Sequence, residues 1–247
     1  MPHSGSGHAE QQVAAYFAAQ GAGILNLSLS EIAADCGVSE PTVVRYCRRA
    51  GYAGLKDYKI ALARQTPAIE PITGEERLAE VKRTVFAGCV ESVQSSAATL
   101  SDEALARAVA LFASADNIDV YATGGSAPVA SYLRHQLLKL GIRTNICSDR
   151  TSMMLSQSGL SASDVVLAIS CTGVTASVAE ALASARARGA ATLCITNVSD
   201  SAVAKSADVV LSTSGGTFLG SNAFARLAQM AVVDALFAGL VLARKQG

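Results

Sequence analysis

Tryptophan is absent from this 247-residue chain, and aromatic residues of all kinds make up only 5% of it. Surfaces on which nucleic-acid bases stack are built from aromatic side chains, so this scarcity argues against that mode of binding. Charge is sparse as well: 16% of residues, against a usual ~25%. Basic and acidic groups number 20 each, for a net charge of zero. A domain that grips a polyanion usually carries a basic excess, so the bulk composition speaks against nucleic acid until the distribution of those charges is considered. The six cysteines, Cys36, Cys47, Cys89, Cys147, Cys171 and Cys194, include no C-x-x-C pair. With three histidines in no cluster, they offer no zinc site, and no metal is expected. In a chain of this length they form no disulfide framework either, and the expected setting is the reducing cytoplasm. The start, Met1 to His8, is polar and rich in Gly and Ser, unlike a signal peptide. The longest apolar run, Met230 to Ala243, is broken by Asp234 and falls short of the ~20 residues of a membrane span. It reads as a buried or interface helix, with no membrane partner.

Half of the chain is apolar, which excludes disorder. Domains of roughly 100–150 residues are commonest, so this length fits one large domain or two ordinary ones. The pattern favours two. Residues 1–66 read as short helices. Residues 67–74, with Pro67, Pro71 and Gly74, suit a linker. From Glu75 long Ala-rich helices appear, and from Asn117 they alternate with β-branched runs at Ile118–Tyr121, Ile142–Cys147, Asp164–Ile169, Ala191–Thr196 and Asp208–Leu211. That alternation predicts an α/β domain over 75–247, with a five-stranded parallel sheet flanked by helices in a flavodoxin-like arrangement.

In the first part, Ser28 or Ser30 can cap a helix through Asp35, and Gly37 supplies a turn that sends Val38 inward. Ser39 can then accept a hydrogen bond from the next helix, with Pro41 in its first turn and Gly51 ending it. Helix, Gly-bearing turn, helix is the helix-turn-helix arrangement. On the second helix Val43, Tyr46, Cys47 and Ala50 can face the core. Thr42, Arg45 and Arg49 then share the opposite face, with Pro41 and Arg48 beside them. In this motif such residues reach base edges in the major groove. Lys56 and Lys59 are placed for phosphates. Over residues 1–66, Arg45, Arg48, Arg49, Lys56, Lys59 and Arg64 oppose Glu10, Glu31, Asp35, Glu40 and Asp57, six cations to five anions and a net +1. Five of the six cations lie between Arg45 and Lys59, so the field is local. The pattern alone also fits a small three-helix packing module with a solvated arginine face.

Residues 38–55, Val-Ser-Glu-Pro-Thr-Val-Val-Arg-Tyr-Cys-Arg-Arg-Ala-Gly-Tyr-Ala-Gly-Leu, resemble the helix-turn-helix signature of the RpiR-type bacterial transcriptional regulators. Those proteins join this DNA-binding domain to a sugar isomerase (SIS) domain. The resemblance implies operator DNA as a partner, with Ser39, Pro41, Thr42, Arg45, Arg48, Arg49 and Lys56 as contacts.

Two loops of the second part carry chemistry. Ala122-Thr123-Gly124-Gly125-Ser126-Ala127 follows the first strand, and Ser170-Cys171-Thr172-Gly173-Val174-Thr175 the third. Each precedes a helix, whose free N–H groups and dipole favour an anion. Neither is a dinucleotide fingerprint or a P-loop, and no cofactor is expected. Hydroxyls and backbone amides suit a phosphate monoester; two ordinary βα turns with Ser/Thr caps are the alternative. The second loop is similar to the S-x-S-G-x-T signature of SIS domains, with Thr172 for the second serine. The first resembles G-x-G-x-S, with Ala122 for the first glycine. The resemblance covers roughly residues 10–65 and 105–215. It implies that Ser126, Ser170, Thr172 and Thr175 hold a ligand phosphate, with Gly124, Gly125 and Gly173 lining it.

SIS domains also serve isomerases, which need a general base. From Asp116 onward the chain offers one Glu, Glu180, and one His, His135, which reads as a packing or interface residue. Asp149 and Arg150, after the second strand, are better placed to meet sugar hydroxyls. The reading favours a phosphosugar-responsive regulator of carbohydrate genes over the alternative, a sugar-phosphate isomerase. Paired operator half-sites imply a homodimer or homotetramer. The faces holding Val81, Val85 and Val93 and holding Leu227, Val232, Leu236 and Leu240 are its expected surfaces.

Overall fold

A computed structural model describes residues 6–20, 24–25, 27–65, 75–216 and 222–245. The expected linker, 67–74, lies outside the described residues. Two compact units are present, one running to Val81 and the other beginning at Lys82.

The first unit holds α1 (Ser6–Gln20), α2 (Leu29–Asp35), α3 (Glu40–Arg49) and α4 (Leu55–Gln65). Ser28 starts α2 with a capping box: its hydroxyl accepts from Glu31 N at 3.1 Å, and the Glu31 carboxylate accepts from Ser28 N at 2.6 Å. Each closes an N–H that the first turn leaves open. Gly37, at φ +64°, makes the turn into α3. Val13, Phe17, Ile32, Val43 and Cys47 form the core of this unit, and Phe17 packs edge-on against Tyr46.

The second unit is a five-stranded parallel sheet in the order β2-β1-β3-β4-β5, as expected from the sequence. Its strands are β1 (Ile118–Tyr121), β2 (Thr144–Cys147), β3 (Val165–Ile169), β4 (Ala191–Thr196) and β5 (Val209–Ser212). Before it run α5 (Glu75–Thr99), which begins in the first unit, and α6 (Asp102–Ser114). Alternate strand residues serve two cores. Val120, Leu167 and Ile195 face α6, α7 (Ala127–Lys139) and α11 (Ala223–Lys245); Tyr121, Val166, Ala168 and Cys194 face α8 (Arg150–Gln157), α9 (Ala176–Ala187) and α10 (Ala202–Lys205). Burial on both faces is why the strands read as near-continuous apolar runs.

Two expectations are corrected. β2 begins at Thr144, not Ile142, because Gly141 (φ +70°) terminates α7 and Ile142 N is spent on Leu137 O. Val232, Leu236 and Leu240, expected on an association surface, are 3%, 0% and 1% exposed in the core of this unit. α11 is long and apolar enough to cross a membrane by length and composition, but this face is spent on packing against α6 and α7.

Candidate functional site

In the first unit, α3 presents Pro41, Arg45, Arg48 and Arg49 outward while Val43 and Cys47 are buried. Lys56, on the first turn of α4, is exposed. Four side chains differ from the helical-wheel expectation. Thr42 is only 5% exposed, because its short side chain turns back on the helix start. Ser39 stands at the N-cap with extended backbone, yet its hydroxyl caps no N–H and meets Thr42 Oγ1 at 2.9 Å. Ala50, expected inward, is exposed at the end of the helix, its N–H spent on Tyr46 O. Lys59, expected at phosphates, donates to the carbonyls of Leu25 and Leu27. Burial pulls its ammonium below the ordinary lysine pKa, against the opposing field of Glu31. The three arginines are each held. Arg45 Nη2 donates to Thr42 Oγ1 at 2.8 Å, Arg48 Nε to Ala53 O at 3.3 Å, and Arg49 pairs with Glu10 at 2.5 Å.

In the second unit the two loops leave β1 and β3, which are neighbours in the sheet. The chain passes from β1 to β2 on one side and from β3 to β4 on the other. This is the topological switch point, where parallel sheets of this order open a crevice at the carboxyl ends of the strands. The first loop winds Gly124–Ser126 into a 3₁₀ turn, with Gly124 at φ +52°. Ser126 then caps α7 by position, without a capping bond. In the second loop the buried Ser170 hydroxyl accepts from Gly173 N at 3.2 Å, and Thr175 stands at the N-cap of α9 without using its hydroxyl there. The switch point thus brings Ser126, Ser170, Thr172 and Thr175 to one end of the sheet.

A cation that sequence reading missed lies beside both loops. A Cβ on Gly125 would come within 3.3 Å of Arg226 Nη1. Burial raises the Cys171 thiol, to about 11 with the Arg226 guanidinium pulling in the opposite direction. Arg226 sits in the first turn of an apolar helix, with no local motif to announce it. The connection into that helix is anchored from α5: Ser92 and Ser96, both buried, donate to Ser214 O at 2.7 and 2.9 Å.

Other expected residues lie differently. Asp149 caps α8, its carboxylate accepting from Ser152 N and Ser152 Oγ at 2.9 Å each, bonds that hold it below the usual carboxylate pKa. Arg150 pairs with Glu180 at 3.2 Å, and His135 is exposed on α7. Neither Glu180 nor His135 is on the two loops.

Residues 1–68 match the helix-turn-helix domain of the rpiR family, and residues 111–239 match the SIS domain. An uncharacterised HTH-type transcriptional regulator of Caldanaerobacter subterraneus subsp. tengcongensis is 30% identical over 244 residues, covering 96% of this chain and 86% of its own. The HTH-type transcriptional regulator RpiR of Escherichia coli K12 is 29% identical over 217 residues, covering 85% and 73%. Among solved structures, the Vibrio vulnificus NanR protein complexed with ManNAc-6P superposes with a TM-score of 0.63 at 26% identity, covering 99% of this chain and 89% of that one. With a helix-turn-helix unit matched over residues 1–68 and a parallel α/β unit matched over residues 111–239, the chain belongs to the RpiR family of transcriptional regulators with a SIS domain.

Proposed function

We propose that this chain binds operator DNA of carbohydrate-metabolism genes, and that a phosphorylated sugar in the SIS unit sets its affinity for that DNA. The observation that carries the ligand reading is the convergence of two hydroxyl-bearing glycine loops and the Arg226 guanidinium at the switch point. Ser126, Ser170, Thr172 and Thr175 supply hydroxyls, Gly124, Gly125 and Gly173 let the backbone approach, and Arg226 supplies a positive charge for a phosphate dianion. Asp149, at the N-cap of α8, is read as a contact for sugar hydroxyls, since its carboxylate can still accept. A relative bound to ManNAc-6P supports the same ligand class. The reading is of a sensor and not an isomerase: Glu180 is engaged by Arg150, and His135 points to solvent in the middle of α7.

Operator contact falls to Pro41, Arg45, Arg48 and Arg49 on α3 and to Lys56 at the backbone, while Ser39 and Thr42, hydrogen-bonded to each other at the start of α3, stand behind Arg45. Helix-turn-helix units read paired half-sites, so the working form is a homodimer, or two such pairs as a homotetramer, in the bacterial cytoplasm. The ligand acts by binding one arrangement of that assembly better than another.

Thermal unfolding in the presence of a panel of sugars and sugar phosphates tests the pocket, since a ligand that binds the native state raises its apparent stability. Phosphorylated members raise the midpoint and their unphosphorylated parents do not. Ser126→Ala combined with Thr172→Val removes the shift. A shift that persists in that double variant, or product formed from the sugar phosphate during incubation, overturns the reading.

A further inference from the structure

At the start of α3 three side chains form a chain of hydrogen bonds. Thr42 Oγ1, in a residue only 5% exposed, lies 2.9 Å from Ser39 Oγ and accepts from Arg45 Nη2 at 2.8 Å. A threonine hydroxyl has one proton and two lone pairs, so it can hold both partners at once. An arginine guanidinium has five donors in a rigid planar fork, and one bond to Thr42 leaves the others for a second acceptor. The two other arginines of the helix are held differently. Arg49 Nη1 pairs with the Glu10 carboxylate, which offsets its charge and ties it to α1. Arg48 is tied to the Ala53 carbonyl past the end of α3. Arg45 alone of the three is restrained by a neutral hydroxyl on its own helix, nearer the N-terminal end that enters the major groove.

We propose that Thr42 is a positioning residue: its buried hydroxyl, braced by Ser39, sets the Arg45 guanidinium in advance for a bidentate contact with a guanine edge, and Thr42 does not itself touch DNA. This rests on the assignment of α3 as the base-reading helix. Arginine to guanine O6 and N7 is the commonest specific contact in the major groove, and its worth depends on the fork being in plane with the base. An unrestrained arginine samples many rotamers and must be ordered at the moment of binding, which costs affinity for the right base and discrimination against the wrong one.

The test is selection from a randomised DNA duplex pool by the full chain and its variants, followed by titration with the selected duplex and with a duplex changed at one position. The wild-type chain enriches guanine at one position of each half-site, and Arg45→Ala loses it. Thr42→Val, which keeps shape and loses the hydroxyl, weakens the preference at that same position by about tenfold, a size within the range of one bidentate pair. Thr42→Ser restores the preference, and affinity for random duplex stays as in the wild type, because no phosphate contact is lost. An Arg45→Ala pool equal to the wild-type pool refutes the reading of α3 itself. An Arg45→Ala pool that loses guanine beside a Thr42→Val pool that keeps it overturns the relay and leaves the helix assignment standing. Loss of a thymine preference on Thr42→Val, with guanine kept, makes Thr42 a direct contact and overturns the relay too. Should Thr42→Val not fold, Ser39→Ala decides, since Ser39 is exposed and caps no N–H. An unchanged guanine preference in that variant refutes the proposal.

Discussion

Two glycines with nearly the same backbone angle separate strain from collision. Gly37 is at φ +64° with nothing within 4 Å of where a Cβ would stand. Gly173, in the second loop of the candidate pocket, is at φ +65°, and a Cβ there would meet Ser201 Oγ at 2.1 Å and Thr196 Oγ1 at 3.1 Å. Placing alanine in the left-handed region costs about 1–2 kcal/mol. Gly37→Ala therefore lowers the stability of its own unit by about that much. Gly173→Ala costs more, roughly 3 kcal/mol, since it adds overpacking to the strain. Ser201 has no easy retreat, because its hydroxyl accepts from Ala204 N to start α10. Urea unfolding of the two variants, followed unit by unit, measures the difference, and equal losses contradict it. Gly173→Ala also removes the stabilisation by a sugar phosphate, which Gly37→Ala retains. What the sequence discloses at this scale is set by how local the cause is. The loop positions of Ser126, Thr172 and Thr175 at strand ends were legible because glycine and hydroxyl spacing is local. The inward turn of Thr42 could not, because a wheel of 100° per residue ignores that a short hydroxyl side chain at a helix start turns back on its neighbours. Arg226 is brought to the loops by a long-range return of the chain, which no window of sequence contains.

At the scale of elements, the close approach of α5 to the start of α11 depends on Gly88. A Cβ at that position would stand 2.4 Å from the ring of Phe224, which is itself 8% exposed. Alanine in a helix interior is favoured over glycine by about 1 kcal/mol, so propensity alone predicts that Gly88→Ala stabilises. The ring contact decides otherwise. Three ring carbons fall within 2.9 Å, and the buried ring has to shift to admit a methyl group. Gly88→Ala lowers stability by about 1–2 kcal/mol, a typical cost of overpacking less the propensity gain. Phe224→Leu in the same chain recovers part of the loss. A thermal melt of the single and double variants checks it, and a higher midpoint for Gly88→Ala refutes it. The parallel sheet and its two helical layers follow from the β-α alternation, which is why they were legible. The role of α11 was not: apolar residues every third or fourth position describe a core face and an association face equally well, and only the packing of α6 and α7 over Val232, Leu236 and Leu240 distinguishes them.

For the whole molecule, zero net charge is compatible with a DNA-binding protein because the cations that matter lie between Arg45 and Lys59. Of these, Arg49 is paired with Glu10 and Lys59 is bound to two carbonyls, so one copy brings few charges to a phosphate backbone. The salt dependence of binding counts phosphates neutralised, with a slope near −0.9 per contact, so the expected outcome is weak binding by a single copy and useful affinity from the proposed linking of two copies. With Val232, Leu236 and Leu240 in the core and Leu227 41% exposed, the apolar residues Phe86 and Val90 of α5, 68% and 54% exposed and one helical turn apart, are the surface we propose for joining copies. In the paired form proposed above, this helix face is the expected contact between copies. Phe86→Asp with Val90→Asp places two carboxylates in that contact. Both side chains are exposed in the single chain, so the fold is retained. Sedimentation at micromolar concentration then shows a smaller species than the wild type, affinity for operator DNA falls at least tenfold, and the rise in melting temperature with a sugar phosphate persists. An unchanged oligomer with unchanged operator affinity moves the association surface elsewhere. A smaller species that still binds operator as tightly as the wild type refutes the claim that affinity is built by pairing.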